Sequence, residues 1–123
     1  RSFGIEATCL SVSDFHEVDD VDLCRLLSNM LENAITACNS GQRKDKQIYL
    51  KISSDEYKYI FHLKNTIDDS VLKKNPALKT TKKDKSSHGY GTRIIRDIAK
   101  KYHGKCDFYE EDGFFCCSVT LKK

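Results

Sequence analysis

Two asparagines one helical turn apart are the residues of this sequence best suited to chemistry. Asn29 and Asn33 lie in a stretch whose apolar residues recur at spacings of three, four and seven, which predicts an amphipathic helix. At about 100° per residue both amides fall at the border of the apolar stripe. Asn ranks low inside helices, and its carbonyl is a neutral hard oxygen that suits Mg²⁺ beside phosphates. The pair therefore predicts a metal site, although amides that are solvated or bonded to a neighbouring loop would fit the same spacing.

A third amide, Asn65, ends a predicted strand. The inner face of that strand is predicted to carry Tyr57, Tyr59, Phe61 and Leu63. Continuing the period of two places Asn65 on the same face. Its amide has one donor side and one acceptor side and can match the edge of an adenine base. Because Asn is also common where turns begin, a plain turn residue is the alternative.

A glycine pair, Gly89 and Gly91, directly precedes a second predicted helix. Backbone N–H groups at such a helix start can approach and hold phosphate oxygens, although a flexible hinge would explain the pair equally well. The segment before it, at about 66–88, is rich in Lys and has no sustained period. A connection of this length inside a compact domain is typical of a lid or a binding loop.

The remaining pattern predicts the elements that position these residues. Strands are predicted at 4–13, 46–53, 57–65, 105–110 and 114–121, the last two joined in a hairpin around Glu111-Asp112-Gly113. Alternation along the second and the last strand predicts two buried faces, Ile48, Leu50 and Ile52 in the second and Phe115, Cys117, Val119 and Leu121 in the last. The first helix begins with the acidic residues Asp19, Asp20 and Asp22, which complement its dipole, and ends near Asn39, while the second is stopped by Gly104. This order predicts an α/β (α+β) two-layer sandwich: a mixed, mostly antiparallel sheet of about five strands with helices on one face.

Composition limits the class of protein. A chain of 123 residues with 39% apolar and 32% charged residues is predicted to form one globular domain, 1–123. It has no apolar run long enough to span a bilayer, and its start without Met suggests a piece of a longer protein. The six cysteines show no CxxC spacing, which favours mostly buried thiols in a reducing cytosol over disulfides or zinc. A net charge of +3 is too small to predict nucleic-acid binding.

The order of these features resembles the ATP-binding domain of the GHKL superfamily, which includes sensor histidine kinases, gyrase, mismatch-repair ATPases and the heat-shock chaperone ATPase. Asn29-Met30-Leu31-Glu32-Asn33-Ala34 resembles its N box, and His88-Gly89-Tyr90-Gly91-Thr92 its second glycine box. The runs 21–27, 78–85 and 111–115 are most similar to the peptide-sensing, quorum-type bacterial histidine kinases. The resemblance covers nearly the whole chain and implies the Bergerat ATP-binding fold.

The resemblance implies specific roles. Asn33 would coordinate Mg²⁺, and Asn29 would lie beside it on the same helix face; both would be catalytic residues. Asn65 would bind the adenine amino group. The remaining ATP-binding residues implied are Lys82, Lys83, Lys85, His88, Gly89, Tyr90, Gly91 and Thr92. Two departures stand out. Most relatives carry an Asp-x-Gly-x-Gly box at this place, whereas Asn65 replaces the Asp and no glycine follows it. The quorum-type branch is expected to use Asn at that position. Asn29 also replaces the Glu general base of hydrolytic relatives, so little ATP hydrolysis is expected.

The implied reaction is transfer of the ATP γ-phosphoryl to a histidine on a separate dimerisation domain of the same kinase, with a response regulator downstream. The full-length protein would be membrane-anchored and this domain cytoplasmic. None of His16, His62, His88 and His103 lies on a helix face suited to accept phosphate, so the chain alone is expected to bind ATP without autophosphorylation. The alternative is a non-enzymatic nucleotide-binding pseudokinase of the same fold.

Overall fold

The computed structural model describes residues 5–11, 15–39, 45–68 and 88–123. These residues form five strands and two helices: β1 (Ile5–Ser11), α1 (Asp20–Asn39), β2 (Lys46–Ser54), β3 (Lys58–Thr66), α2 (His88–Lys101), β4 (Lys105–Glu111) and β5 (Phe114–Lys122). The predicted lid at 66–88 falls largely outside the described residues. Its first residue, Thr66, ends β3, and its last, His88, begins α2, so both predicted boundaries lie inside regular elements.

All five strands form one sheet in the order β1-β2-β3-β5-β4. β1 runs parallel to β2, while the pairs β2–β3, β3–β5 and β5–β4 are antiparallel. A parallel pair needs a crossover connection, and α1 provides it. Both helices pack on one face of this sheet and on each other. The predicted two-layer sandwich with a mixed, mostly antiparallel sheet is therefore confirmed.

The core lies between the sheet and the helices, and period-two burial along the strands builds it. Ile48, Leu50 and Ile52 of β2 are buried, as predicted. From the helices, the fully buried side chains are Leu26 and Met30 of α1 and Ile95 of α2. The predicted inner face of β5 is also buried: Phe115, Cys117, Val119 and Leu121. Among the described residues, no helix combines the length and apolarity needed to cross a membrane.

Tyr57 is an exception to the predicted strand face. It is 72% exposed and lies just before β3, so the prediction that it lies on the inner face of the strand is wrong. The Asp55 carboxylate accepts hydrogen bonds from the backbone N–H of Tyr57, at 2.8 Å, and of Lys58, at 3.0 Å. This Asx turn lies just before the strand, whose residue pairing with β5 begins at Lys58. The buried face of β3 therefore starts at Tyr59.

Two tight junctions fix the end of α2 and the last hairpin. At Gly104 a Cβ atom would lie 1.5 Å from the carbonyl oxygen of Thr120, so only glycine allows this approach of β5. The last hairpin turns through Asp112 and Gly113, whose φ angles of 52° and 81° fit a two-residue type I′ turn. The Gly113 carbonyl also accepts a hydrogen bond from the N–H of Ile67, at 3.0 Å, and so holds the chain where it leaves β3.

Candidate functional site

The predicted amide pair lies against the first turn of α2. A Cβ atom at Gly91 would stand 3.0 Å from Asn33 Oδ1 and 3.4 Å from Asn29 Oδ1. Asn29 Nδ2 donates to the Arg25 carbonyl, at 2.7 Å, one turn back along α1. Both amides are half-buried, as their predicted place at the edge of the apolar stripe requires. The absence of a side chain at Gly91 thus lets two amide oxygens approach the start of α2, where N–H groups have no partner inside the helix.

A hollow opens beside Asn33 and is formed by α1, α2 and the three strands β3, β4 and β5. Its volume is about 230 Å³, counting the part open to solvent. Because this volume includes open solvent, the enclosed space is smaller, and the hollow can hold only part of a ligand. Two amides, one at the mouth and one deeper, stand among otherwise apolar or thiol side chains. The lining residues are Met30, Asn33, Ala34, Leu63, Asn65, Ile95, Phe108, Phe115 and Cys117.

Asn65 is the buried polar residue of this hollow, with 2% of its surface exposed. It lies opposite Phe115 in the β3–β5 register, on the inner face predicted from the sequence. Its Nδ2 donates to the Thr66 carbonyl, at 3.2 Å. One of the two N–H donors of the amide is therefore engaged by the protein, and the amide oxygen suits a ligand donor.

The other predicted site residues divide into two groups. Gly91 and Thr92 are buried in the first turn of α2, which begins at His88 and includes Gly89 and Tyr90. The side chains of His88 and Tyr90 lie outside the described part of the chain. The lysines predicted to reach the phosphates, Lys82, Lys83 and Lys85, also lie outside the described residues.

The aromatic walls of the hollow were missed by sequence reasoning. Phe108 and Phe115 stack with ring centroids 5.9 Å apart and an interplanar angle of 20°. Phe115 was predicted only as a core residue, and Phe108 was given no role. Their shared wall depends on β5 lying between β3 and β4, an arrangement that no local pattern reveals. The one available signal was the inner-face position of Phe108 in the period-two pattern of its strand.

Asp22 connects the two helices that carry the site. Its Oδ2 accepts hydrogen bonds from Lys101 Nζ, at 2.7 Å, and from the Tyr102 hydroxyl, at 2.6 Å. The Tyr102 oxygen in turn accepts from the N–H of Asp19, at 3.0 Å. The hydrogen bond from Lys101 and then that from Tyr102 lower the pKa of Asp22. Asp22 lies in the first turn of α1, as predicted, and it also ties the start of α1 to the end of α2.

Comparison with solved structures finds this fold in histidine kinases. The catalytic domain of histidine kinase ThkA matches with a TM-score of 0.77 at 18% identity, over 99% of this chain and 82% of that chain. The mycobacterial sensor histidine kinase MprB matches with a TM-score of 0.73 at 14% identity, over 97% and 84%. The Acinetobacter baumannii histidine kinase AdeS gives a TM-score of 0.73 at 11% identity, over 98% and 55%. At these identities the likeness shows the fold.

The family of the chain follows from its sequence match. Comparison with curated proteins finds no match. The family model described as the GHKL domain matches residues 18–122, which include both helices and all strands except β1. The narrower likeness to quorum-type kinases stays a prediction. The chain belongs to the GHKL domain family, and its fold is that of histidine kinase catalytic domains.

Proposed function

We propose that this chain is the ATP-binding catalytic domain of a bacterial two-component sensor histidine kinase. It binds Mg-ATP and passes the γ-phosphoryl to a histidine on a separate dimerisation domain of the same kinase. One observation carries the proposal: the Asn33 amide stands between the hollow and Gly91, with its Oδ1 3.0 Å from where a Gly91 Cβ would lie. A nucleotide with its base in the hollow and its phosphates beside Gly91 would extend across both sides of Asn33.

The hollow is the proposed adenine site. Its stacked walls, Phe108 and Phe115, suit a flat apolar group. With Asn65 Nδ2 held by the Thr66 carbonyl, Oδ1 accepts a hydrogen bond from the adenine amino group. Guanine presents a carbonyl at that edge, which would face another acceptor. The site should therefore prefer ATP to GTP.

The phosphates are proposed to lie at the start of α2, beside Asn29 and Asn33. The N–H groups of its first turn and the helix dipole favour anions there. Mg²⁺ fits this donor set, because Asn33 offers a hard, neutral oxygen next to the space that Gly91 keeps open. When bound, Mg²⁺ neutralises phosphate charge during transfer. Asn29 carries no carboxylate and cannot take a proton from water, which favours transfer over hydrolysis.

Calorimetric titration of the purified protein with ATP and an unhydrolysable analogue, each with and without Mg²⁺, tests this proposal. The variant Asn33→Ala should lower Mg-ATP affinity by roughly tenfold or more, because a metal ligand is lost. Ser28→Ala is the matched control: Ser28 is exposed on the same helix and its hydroxyl bonds only its own helix carbonyl, that of Arg25. Its affinity should equal that of the wild type. Absence of heat from the wild type with every nucleotide would refute the proposal.

Transfer is tested separately in the full-length protein. Radiolabelled ATP should label a histidine of the dimerisation domain, and Asn33→Ala should abolish the label while Ser28→Ala keeps it. A protein that binds ATP but never labels its histidine would instead be the pseudokinase. The quorum-type subfamily, the response regulator and the cytoplasmic position in a membrane-anchored sensor rest on the sequence resemblance and stay predictions.

A further inference from the structure

Two cysteines face the helices from neighbouring strands. In the β4–β5 register Cys106 pairs with Val119, and Phe108 pairs with Cys117, so the two cysteines are diagonal neighbours on one face of the sheet. Both belong to the core packed under the helices. Hydrogen bonding between the two side chains is the first cause of the pKa shift of each thiol. The fold therefore places the two thiols next to each other on the face of the sheet that the helices cover.

The two thiols differ chemically. Cys117 is 5% exposed, whereas Cys106 is half-buried and therefore open to a small reagent. The hydrogen bond from Cys117 lowers the pKa of Cys106, and so does the positive charge of Arg96, against the opposing effect of burial. The same hydrogen bond and burial raise the pKa of Cys117 well above its ordinary value. Since the thiolate is the nucleophile, Cys106 is the attacking sulfur and Cys117 the resolving one.

We propose that Cys106 and Cys117 form a peroxide-sensitive thiol pair. The Cys106 thiolate attacks one oxygen of hydrogen peroxide, the O–O bond breaks, and the departing hydroxide takes a proton to become water, leaving a sulfenic acid. The Cys117 sulfur then attacks the Cys106 sulfur, the S–O bond breaks, and the thiol proton leaves with that hydroxide as a second water. Both sulfurs are oxidised to a disulfide and the peroxide is reduced.

The pair borders the hollow, because Cys117 also lines it beside Asn33 and Asn65. A disulfide would draw the two sulfurs together to about 2.05 Å, and the wall of the hollow would shift with Cys117. Packed interiors accommodate such shifts poorly. Oxidation is therefore expected to weaken nucleotide binding. This second effect rests on the proposed function, whereas the disulfide itself does not.

Peroxide treatment followed by peptide mapping tests the thiol pair. The reduced protein is treated with hydrogen peroxide, alkylated in denaturant and digested with trypsin and a Glu-specific protease. Cleavage after Lys105 and after Glu110 and Glu111 separates the two cysteines into different peptides. Mass spectrometry should find these peptides joined, and released by dithiothreitol.

Matched cysteine variants identify the partners. Cys116→Ser should keep the cross-link, because Cys116 directly precedes Cys117 in β5 and points to the opposite face of the sheet. Cys106→Ser should abolish it, and a half-buried serine at that position should leave the thermal unfolding midpoint close to that of the wild type. Arg96→Gln should slow cross-linking roughly threefold by reducing the thiolate fraction.

Two outcomes would overturn the thiol pair: both cysteines still alkylated after peroxide, or a cross-link to the Cys106 peptide that disappears in Cys116→Ser. For regulation, ATP titration of the oxidised protein should show affinity several-fold weaker than that of the reduced protein, and equal affinities would overturn that part. A reduced protein that binds no nucleotide would refute the proposed function while the cross-link result stands.

Discussion

Gly91 matters to the site through the side chain it lacks. Asn33 Oδ1 and Asn29 Oδ1 approach the place of its missing Cβ to 3.0 Å and 3.4 Å. The first contact is tighter than an ordinary van der Waals separation, so a methyl group there must displace the Asn33 amide. Elsewhere in an α-helix, glycine only weakens the helix relative to alanine. Stability and ligand binding therefore favour different residues at this position.

Gly91→Ala is expected to move these two properties in opposite directions. The free energy of unfolding should stay level or rise by up to about 1 kcal/mol, as helix propensity predicts. Mg-ATP affinity should fall by on the order of tenfold, because the Asn33 oxygen is displaced. Urea denaturation measures the first quantity and calorimetry the second.

A double-mutant cycle supplies the control for this prediction. In an Asn33→Ala background the displaced group is absent, so adding Gly91→Ala should change affinity little. If both backgrounds lose affinity equally, Gly91 acts without Asn33 and the geometric explanation is wrong.

Individual site residues could be placed from the sequence where a single period governs them. The helical period placed Asn29 and Asn33, and the strand period placed Asn65 on the inner face. Tyr57 was misplaced because the turn at Asp55 overrides the period. Phe108 was missed because its role depends on which strands are neighbours.

At the scale of elements, Gly104 fixes the path of the chain from the end of α2 into the last hairpin. The helix ends through His103, whose φ of 57° is left-handed, and the N–H of Gly104 closes it on the Ala99 carbonyl, at 2.8 Å. Directly beyond, the Gly104 Cα faces the Thr120 carbonyl of β5 with no room for a Cβ.

Gly104→Ala should therefore destabilise the fold by about 3 kcal/mol or more, because backbone rather than a flexible side chain must move. Urea denaturation measures the change. His103→Gly is the adjacent control: it should alter the free energy of unfolding by no more than about 1 kcal/mol, since glycine adopts the left-handed conformation freely. An alanine variant as stable as the wild type would contradict the close approach.

Element types and most bounds were predictable because local signals define them. The Asp112-Gly113 pair predicted the hairpin turn, and the structure shows it. The parallel pairing of β1 with β2 and the position of β5 between β3 and β4 were not predictable, because long-range packing rather than local sequence decides strand order.

At the scale of the whole molecule, Asp22 makes the free energy of unfolding depend on pH. Its pKa in the folded protein is lowered, first by the hydrogen bond from Lys101 and then by that from Tyr102. A carboxyl whose folded pKa lies below its unfolded value, about 3.9, stabilises the fold above that pH. This contribution is lost as the pH falls through the folded pKa.

Asp22→Asn should lower the free energy of unfolding at pH 7 by about 1–3 kcal/mol, as expected for hydrogen bonds to a charged group. The difference from the wild type should shrink below about pH 4, where the wild-type carboxyl becomes protonated too. Urea denaturation at several pH values measures it.

Lys101→Met provides the comparison for Asp22→Asn. Lys101 is 62% exposed, so solvent screens its charge, and its loss should lower the free energy of unfolding by less than Asp22→Asn does. A difference between Asp22→Asn and the wild type that stays constant from neutral to acid pH would show that the ionisation of Asp22 does not contribute.

The strand order has a consequence for biosynthesis. β5 is the last strand of the sheet to leave the ribosome, yet it stands between β3 and β4. Until it emerges, β3 has an open hydrogen-bonding edge and β4 has no partner in the sheet. The two helices can form early from local contacts, but the sheet must wait for a contact between distant parts of the chain, which slows folding. A nascent chain stalled before β5 would thus expose an aggregation-prone edge and depend on chaperones.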